Sequence, residues 1–172
     1  SDTARLHARQ GSKNKKWKVK VLERYDRHDL CVLAAPKGAK TLKVADDMPG
    51  YGAKIYTAGY PAIPHLTESD GELLGLDKEP LNWGSPDDCK KSDGYRIENG
   101  MMMTMFGPME APVCKLVAPR YDTSVKSDAG ASGSPVVTRD GKVVGVIMTV
   151  AGNIGYAGIV PHAYVEDLLS KH

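Results

Sequence analysis

Two β-branched runs joined by an Asp-Gly step constrain this chain more than any other feature. Val136-Val137-Thr138, then Arg139-Asp140-Gly141, then Lys142-Val143-Val144-Gly145-Val146-Ile147 read as a hairpin. Just before it stands Asp128-Ala129-Gly130-Ala131-Ser132-Gly133-Ser134-Pro135, a small serine flanked by glycines. Gly130 lets the backbone turn so that its own N–H and that of Ser132 point at one spot, which is what a developing oxyanion needs. Gly133 leaves room for a carbonyl beside the Ser132 hydroxyl. Taken alone, the stretch also fits an ordinary Gly/Ser turn before a hairpin. The G-x-S-x-G nucleophile elbow is excluded. Its last glycine is replaced by Ser134, strand material follows where a helix is required, and too little chain remains downstream for the Asp and His of such sites.

The rest of the chain carries the same β signature. Residues 4–10 alternate as a half-buried strand, and Trp17, Val19 and Val21 alternate with lysines as a second. Tyr25-Asp26-Arg27-His28-Asp29 is a polar corner, and Leu30-Cys31-Val32-Leu33-Ala34 reads as a buried strand. Lys54-Ile55-Tyr56-Thr57-Ala58-Gly59-Tyr60-Pro61 reads as another. Residues 62–94 are rich in proline and acids and weakly periodic, so they are expected to form an inserted surface loop with a helical turn near Glu72–Leu76. Tyr95–Ile97, Met101–Phe106, Val113–Ala118 and Tyr121–Ser124 follow as strand segments, with the methionines expected to fill core or strand positions. After a last strand over Ile154–Val160, Pro161 opens a C-terminal helix with Tyr164, Val165, Leu168 and Leu169 on one face.

Composition removes several function classes. The 23 basic and 21 acidic residues leave a net charge of +2, which argues against nucleic acid as a partner. The short basic run Lys13-Asn14-Lys15-Lys16 reads as a solvated turn. No apolar run approaches the length of a membrane-spanning helix, so no membrane partner is expected. The 3 cysteines lack metal-ligand spacing. Cys31 reads as a buried small side chain, whereas a pairing of Cys89 with Cys114 is left open. The start, Ser1-Asp2-Thr3-Ala4-Arg5, has neither an initiator Met nor a signal-peptide pattern and reads as processed or truncated.

A serine hydroxyl needs a base within hydrogen-bond reach, usually a histidine oriented by a carboxylate. Asp29 is the best carboxylate, standing at the mouth of a buried strand after a polar corner, although it also fits an ordinary turn Asp. With these residues assembled, the chain resembles the trypsin-like serine peptidases, and most of all the HtrA-type and short viral members. Asp29-Leu30-Cys31-Val32-Leu33 resembles the family's aspartate motif. Ile55–Pro61 is similar to the strand ending in Gly-Asn/Tyr-Pro. Gly130-Ala131-Ser132-Gly133-Ser134-Pro135-Val136 matches the serine motif G-x-S-G-G/S/T-P, and Asp140–Val146 and Tyr156–Pro161 resemble the hairpin and strand that follow it.

The resemblance implies an all-β fold, chymotrypsin-like, of two six-stranded antiparallel barrels with a C-terminal helix. Residues 1–61 would form a first barrel lacking its N-terminal strands, 62–94 the inserted loop, and 95–172 the second barrel and helix. It implies a serine endopeptidase acting on polypeptides without cofactor or metal. Ser132 would be the nucleophile, Asp29 the orienting acid, and the Gly130 and Ser132 amides the oxyanion hole. Lys126, Thr149 and Ala151 would line the pocket for the side chain before the scissile bond. The catalytic histidine has three placements: before Ser1, since Ser1–Gln10 resembles the strand that follows it; at His7; or absent, in a non-catalytic, peptide-binding or structural protein on the same fold. His28 is adjacent to Asp29 and cannot serve, and His65, His162 and His172 have no aspartate-supported position.

Overall fold

The structure, a computed structural model, describes residues 7–10, 15–35, 37–60, 66–89, 93–151 and 156–172, with backbone alone for 7–10, 15–18 and 149–151. It is all-β apart from two 3-10 turns and one C-terminal helix. The strands are β1 (His7–Gln10), β2 (Lys15–Lys18), β3 (Val21–Tyr25), β4 (Leu30–Leu33), β5 (Lys54–Gly59), β6 (Thr67–Asp77) and β7 (Leu81–Gly84). They continue as β8 (Tyr95–Thr104), β9 (Gly107–Leu116), β10 (Arg120–Lys126), β11 (Pro135–Val137), β12 (Val143–Ala151) and β13 (Tyr156–Pro161), followed by α1 (His162–Leu169). A six-stranded barrel closes in the order β10-β13-β12-β11-β5-β6. Two hairpins, β1-β2 and β3-β4, and a three-stranded sheet, β7-β9-β8, stand apart from it. Among the described residues one closed barrel is therefore present.

The Asp-Gly hairpin forms as its residues dictate. Gly141 takes φ +81, and its N–H donates to the Thr138 carbonyl at 2.9 Å. Inward-facing Ile55, Leu73, Val125, Val136, Val144, Ile147 and Ile159 fill the barrel, all at 0–1% exposure. A second cluster, of Tyr95, Cys114, Leu116, Ala118, Met148 and Val160, lies between the barrel and the three-stranded sheet. Leu30, Trp83, Cys89 and Tyr164 pack against it. Cys89 and Cys114 are joined by a disulfide.

Several expectations are corrected. β5, assigned from sequence to a first barrel, lies in the closed barrel between β11 and β6. Its pairing with β6 is continuous from Lys54↔Glu72 to Gly59↔Thr67, and Ile55 and Leu73 share one core. Consequently much of the expected loop over 62–94 is strand, and the helical turn near Glu72–Leu76 is part of β6. Acidic and glycine residues of low β propensity are held there because β6 has a partner on both edges. The alternating stretch at 17–21 divides between β2 and β3.

Cys31 is exposed rather than buried, since β4 alternates and only Val32 on its inner face is covered. The methionines of β8 take strand positions as expected but do not fill a core: Met102 is half-buried and Met101 and Met103 are exposed, as are Met105 and Phe106 in the turn that follows. In α1, Leu168 is buried, whereas Leu169 faces outward at 50% exposure. The expected strand start at Ile154 and the pocket side chains of Thr149 and Ala151 lie outside the described residues or side chains.

Candidate active site

Ser132 sits in the loop from β10 to β11. Ala131 N–H donates to the Asp128 carbonyl at 3.1 Å, and Ser134 N–H donates to the Ala131 carbonyl at 3.0 Å. The loop is fastened to β12 at one residue. Gly133 N–H donates to the Ile147 carbonyl at 2.7 Å, and Ile147 N–H donates to the Ser134 carbonyl at 2.9 Å. Gly130 and Gly133 take φ +95 and +88, a region that strongly favours glycine. Between them Ala131 turns inward and is buried, and Ser132 is left exposed. Among the described residues the Gly130 and Ser132 amides have no acceptor, so two donors and a hydroxyl stand free in one turn.

A small pocket of about 40 Å³ adjoins this turn, lined by Thr57, Gly59, Lys126, Ser127, Ala131 and Ser134 among others. The Thr57 hydroxyl donates to the Pro135 carbonyl at 2.8 Å, fixing β5 to the end of the serine loop. Gly59 permits the approach, since a Cβ there would stand 2.1 Å from Ser134 Oγ. Lys126 lines the pocket but is itself exposed at the end of β10. Lys126 pairs with Tyr156 of β13, and Tyr156 pairs with Ala151 of β12, so the predicted Lys126 and Ala151 share one row across three strands. Thr149 pairs with Gly158 two residues further along. The position of Tyr156 between them was not foreseen, because only barrel closure sets that neighbour.

Asp29 ends the 3-10 turn Asp26–His28 and precedes β4. It takes φ +52 and ψ +41, and its N–H donates to the Asp26 carbonyl at 3.2 Å. Among the described residues it is the single non-glycine with positive φ. Such backbone strain concentrates at functional sites, and Asp tolerates this region better than most side chains do. Its two neighbours anchor it. His28 stacks on Tyr164 of α1 with centroids 3.7 Å apart and meets Tyr25 edge-on at 4.9 Å. Leu30 packs against the cluster containing Met148. The aspartate turn thus rests on packing that includes Met148, and the serine loop is held by the adjacent Ile147.

None of the described histidines lines the pocket beside the serine turn. His28 is buried in its aromatic stack, and His172 bonds to Glu23 at 2.8 Å. His162 begins α1, the side chain of His7 is not described, and His65 lies outside the described residues. Among the described residues no cluster of three or more metal-ligating side chains occurs, and no helix is long and apolar enough to cross a membrane.

Burial holds the His28 pKa below its ordinary 6.5, the adjacent Arg27 adds to the shift, and Asp167 opposes it. The native state therefore binds fewer protons here than the unfolded chain does. The associated stability is complete above about pH 6.5 and is lost as pH falls below it. Thermal melts between pH 8 and pH 5 should show this loss, and His28→Phe, which keeps the stacking, should flatten it. An unchanged slope in that variant would exclude His28 as the source.

Residues 2–146 match the trypsin-like peptidase domain. The chain belongs to that family. Among solved structures it is similar to the Rv3671c protease of M. tuberculosis in its active form, at 19% identity and TM-score 0.63, covering 92% of this chain and 60% of that one. The inactive form of the same protease gives 20% identity and TM-score 0.61, with coverages of 92% and 69%. The protease domain of MamO from Magnetospirillum magneticum gives 13% identity and TM-score 0.57, with coverages of 94% and 72%. The chain thus spans between 60% and 69% of the length of these two Rv3671c chains. At such identities the likeness is one of fold, which is chymotrypsin-like. No curated protein sequence matches the chain.

Proposed function

We propose that this trypsin-like peptidase domain is a serine endopeptidase with Ser132 as nucleophile and Asp29 as the carboxylate that orients the base. The histidine is expected from chain preceding residue 1, where the family pattern puts it. The observation that carries the reading is the serine turn: an exposed hydroxyl between two left-handed glycines, beside two amides that have no other acceptor among the described residues.

In this reading the base removes the Ser132 hydroxyl proton as Oγ attacks the scissile carbonyl carbon. The charge that develops on the carbonyl oxygen is taken up by the Gly130 and Ser132 N–H groups, with no reorganisation of the backbone. The protonated base then gives its proton to the leaving amine, and water hydrolyses the acyl-enzyme by the same route. Lys126, Thr149 and Ala151, with Tyr156 between their strands, form the rim of the pocket for the preceding side chain.

The test is labelling with a fluorophosphonate of protein that includes the upstream segment. An adduct on Ser132, absent from Ser132→Ala, is expected. A folded protein that takes up no label would overturn the reading and leave a non-catalytic peptide-binding protein on the same fold.

A further inference from the structure

The hairpin of β8 and β9 projects from the three-stranded sheet. β7 pairs only with the Cys114–Leu116 end of β9, so among the described residues the distal part has two open edges. It ends in an apolar tip, with Met103, Met105 and Phe106 at 79%, 94% and 97% exposure. Between Glu98 and Lys115 the one charged residue is Glu110. At the base, Glu98 is occupied by Arg96 at 2.6 Å and Lys115 at 3.2 Å.

The two edges differ. The ladder runs without a break from Tyr95↔Leu116 to Thr104↔Gly107, so N–H groups on each strand point alternately toward the partner and outward. Pro108 and Pro112 pair with Met103 and Asn99. Proline has no N–H, so these are outward-pointing pairs, and the β9 edge is interrupted twice. On β8 the matching outward positions are Asn99, Met101 and Met103. They carry no proline and no charge. The Met101 carbonyl accepts a hydrogen bond from Asn82 Nδ2 at 3.5 Å, and the Met101 N–H with the outward groups of Asn99 and Met103 remains a template for another strand.

We infer that this edge is a self-association surface, on which β8 of a second copy pairs antiparallel about a two-fold axis at Met101. Met101 of one copy then lies opposite Met101 of the other, Met103 opposite Asn99, and Met105 opposite Ile97. The tip of each hairpin covers Ile97 of its mate, itself 56% exposed. The exposed parts of Ile97, Met101, Met103, Met105 and Phe106 together amount to at most roughly 800 Å², which reaches one partner's share of a standard-size interface. A bilayer is the weaker occupant. The distal hairpin has no Lys or Arg to meet anionic headgroups, and its one charge is a carboxylate. The pairing is isologous, as closed dimers require.

Sedimentation velocity across a micromolar to near-millimolar series tests this. The wild-type chain should pass from monomer to twice the monomer mass. Met101→Lys, made together with Glu110→Gln so that no carboxylate stands opposite it in its own hairpin, sets two ammonium groups opposite each other. It should weaken association at least tenfold, with an unchanged melting temperature at concentrations where both proteins are monomeric. Glu110→Gln alone, and Met109→Lys on the other strand and the other face of the hairpin, should leave association intact. In a Cys31→Ser background, Met101→Cys should cross-link across the two-fold on mild oxidation, and Phe106→Cys should not. A monomer at every concentration, a dimer untouched by Met101→Lys, or a monomer that sediments with phosphatidylserine-containing vesicles would overturn the inference.

Discussion

Ser132→Ala, made in protein that includes the segment before residue 1, is expected to lower kcat for peptide hydrolysis by roughly 10⁶-fold, the scale on which a triad nucleophile acts with its partners. Removing the hydroxyl ends covalent catalysis altogether, whereas the Gly130 and Ser132 amides can still receive the oxyanion. A residue of about 10³–10⁴-fold over the uncatalysed rate should therefore remain. The same change should leave stability within about 0.5 kcal/mol, the usual range for an exposed position outside any packing or bonding network. Ser132 fits that description, being exposed and without a hydrogen bond from its hydroxyl among the described residues. Hydrolysis that survives at the wild-type rate would remove Ser132 from the chemistry, whereas a collapse of the melting temperature would mean that the activity reading measured unfolding. Substrate affinity should change little, because the pocket walls are supplied by other residues.

Gly71→Ala should be strongly damaging to the barrel, at about 3 kcal/mol, the upper part of the usual overpacking range. A Cβ at Gly71 would stand 2.5 Å from the backbone nitrogen of Val125 and 2.7 Å from the carbonyl carbon of Ser124. Neither is the movable end of a side chain, so β6 and β10 would have to separate. That seam is also bonded by the Glu72 N–H to Ser124 Oγ at 2.8 Å and closed at its end by the ion pair of Arg120 with Asp77. For a chain of this size the cost corresponds to a melting temperature about 10 °C lower. Gly75→Ala in the same strand is the control. Nothing lies within 4 Å of the added Cβ, so the effect should stay within about 0.5 kcal/mol. Equal effects at the two positions would show that strand propensity, rather than the close crossing of β6 and β10, governs both.

The parts of the fold legible in the sequence are those with a local cause. The Asp140-Gly141 turn follows from the positive φ that its geometry demands, and Gly130 follows from the same requirement before Ser132, whereas the positive φ of Gly133 is a finding of the structure. Pro161 marks the boundary of the last helix: it ends β13 in an extended conformation, φ −59 and ψ 148, and stands as the N-cap of α1. Asp29 was legible as a residue at a polar corner. Its left-handed backbone was not, since the conformation is held by His28 and Leu30 packing against α1 and the second cluster.

The segments that depart from the sequence pattern share a physical origin. The acidic, glycine-bearing stretch over 67–77 lacks the β-branched signature of a strand. It becomes one because β5 and β10 saturate both its edges. Cys31 and the β8 methionines sit in apolar runs, and an apolar run is buried only where something covers it. β4 belongs to a two-stranded sheet covered on one face, and β8 is an open edge. The disulfide partner of Cys89 was equally out of reach, because the 25-residue separation says nothing of which strand ends meet.

By itself the sequence determined the all-β class, the positions of the turns, and the serine presented between two glycines, because backbone conformational preference is a property of each residue and its nearest neighbours. Only the tertiary structure decided that residues 54–59 and 67–77 belong to the closed barrel, that the serine loop hangs from Ile147, and that among the described residues a methionine-tipped hairpin stands uncovered. Strand partners and the covering of faces are contributed by residues far away along the chain, and no local pattern records which of them will arrive.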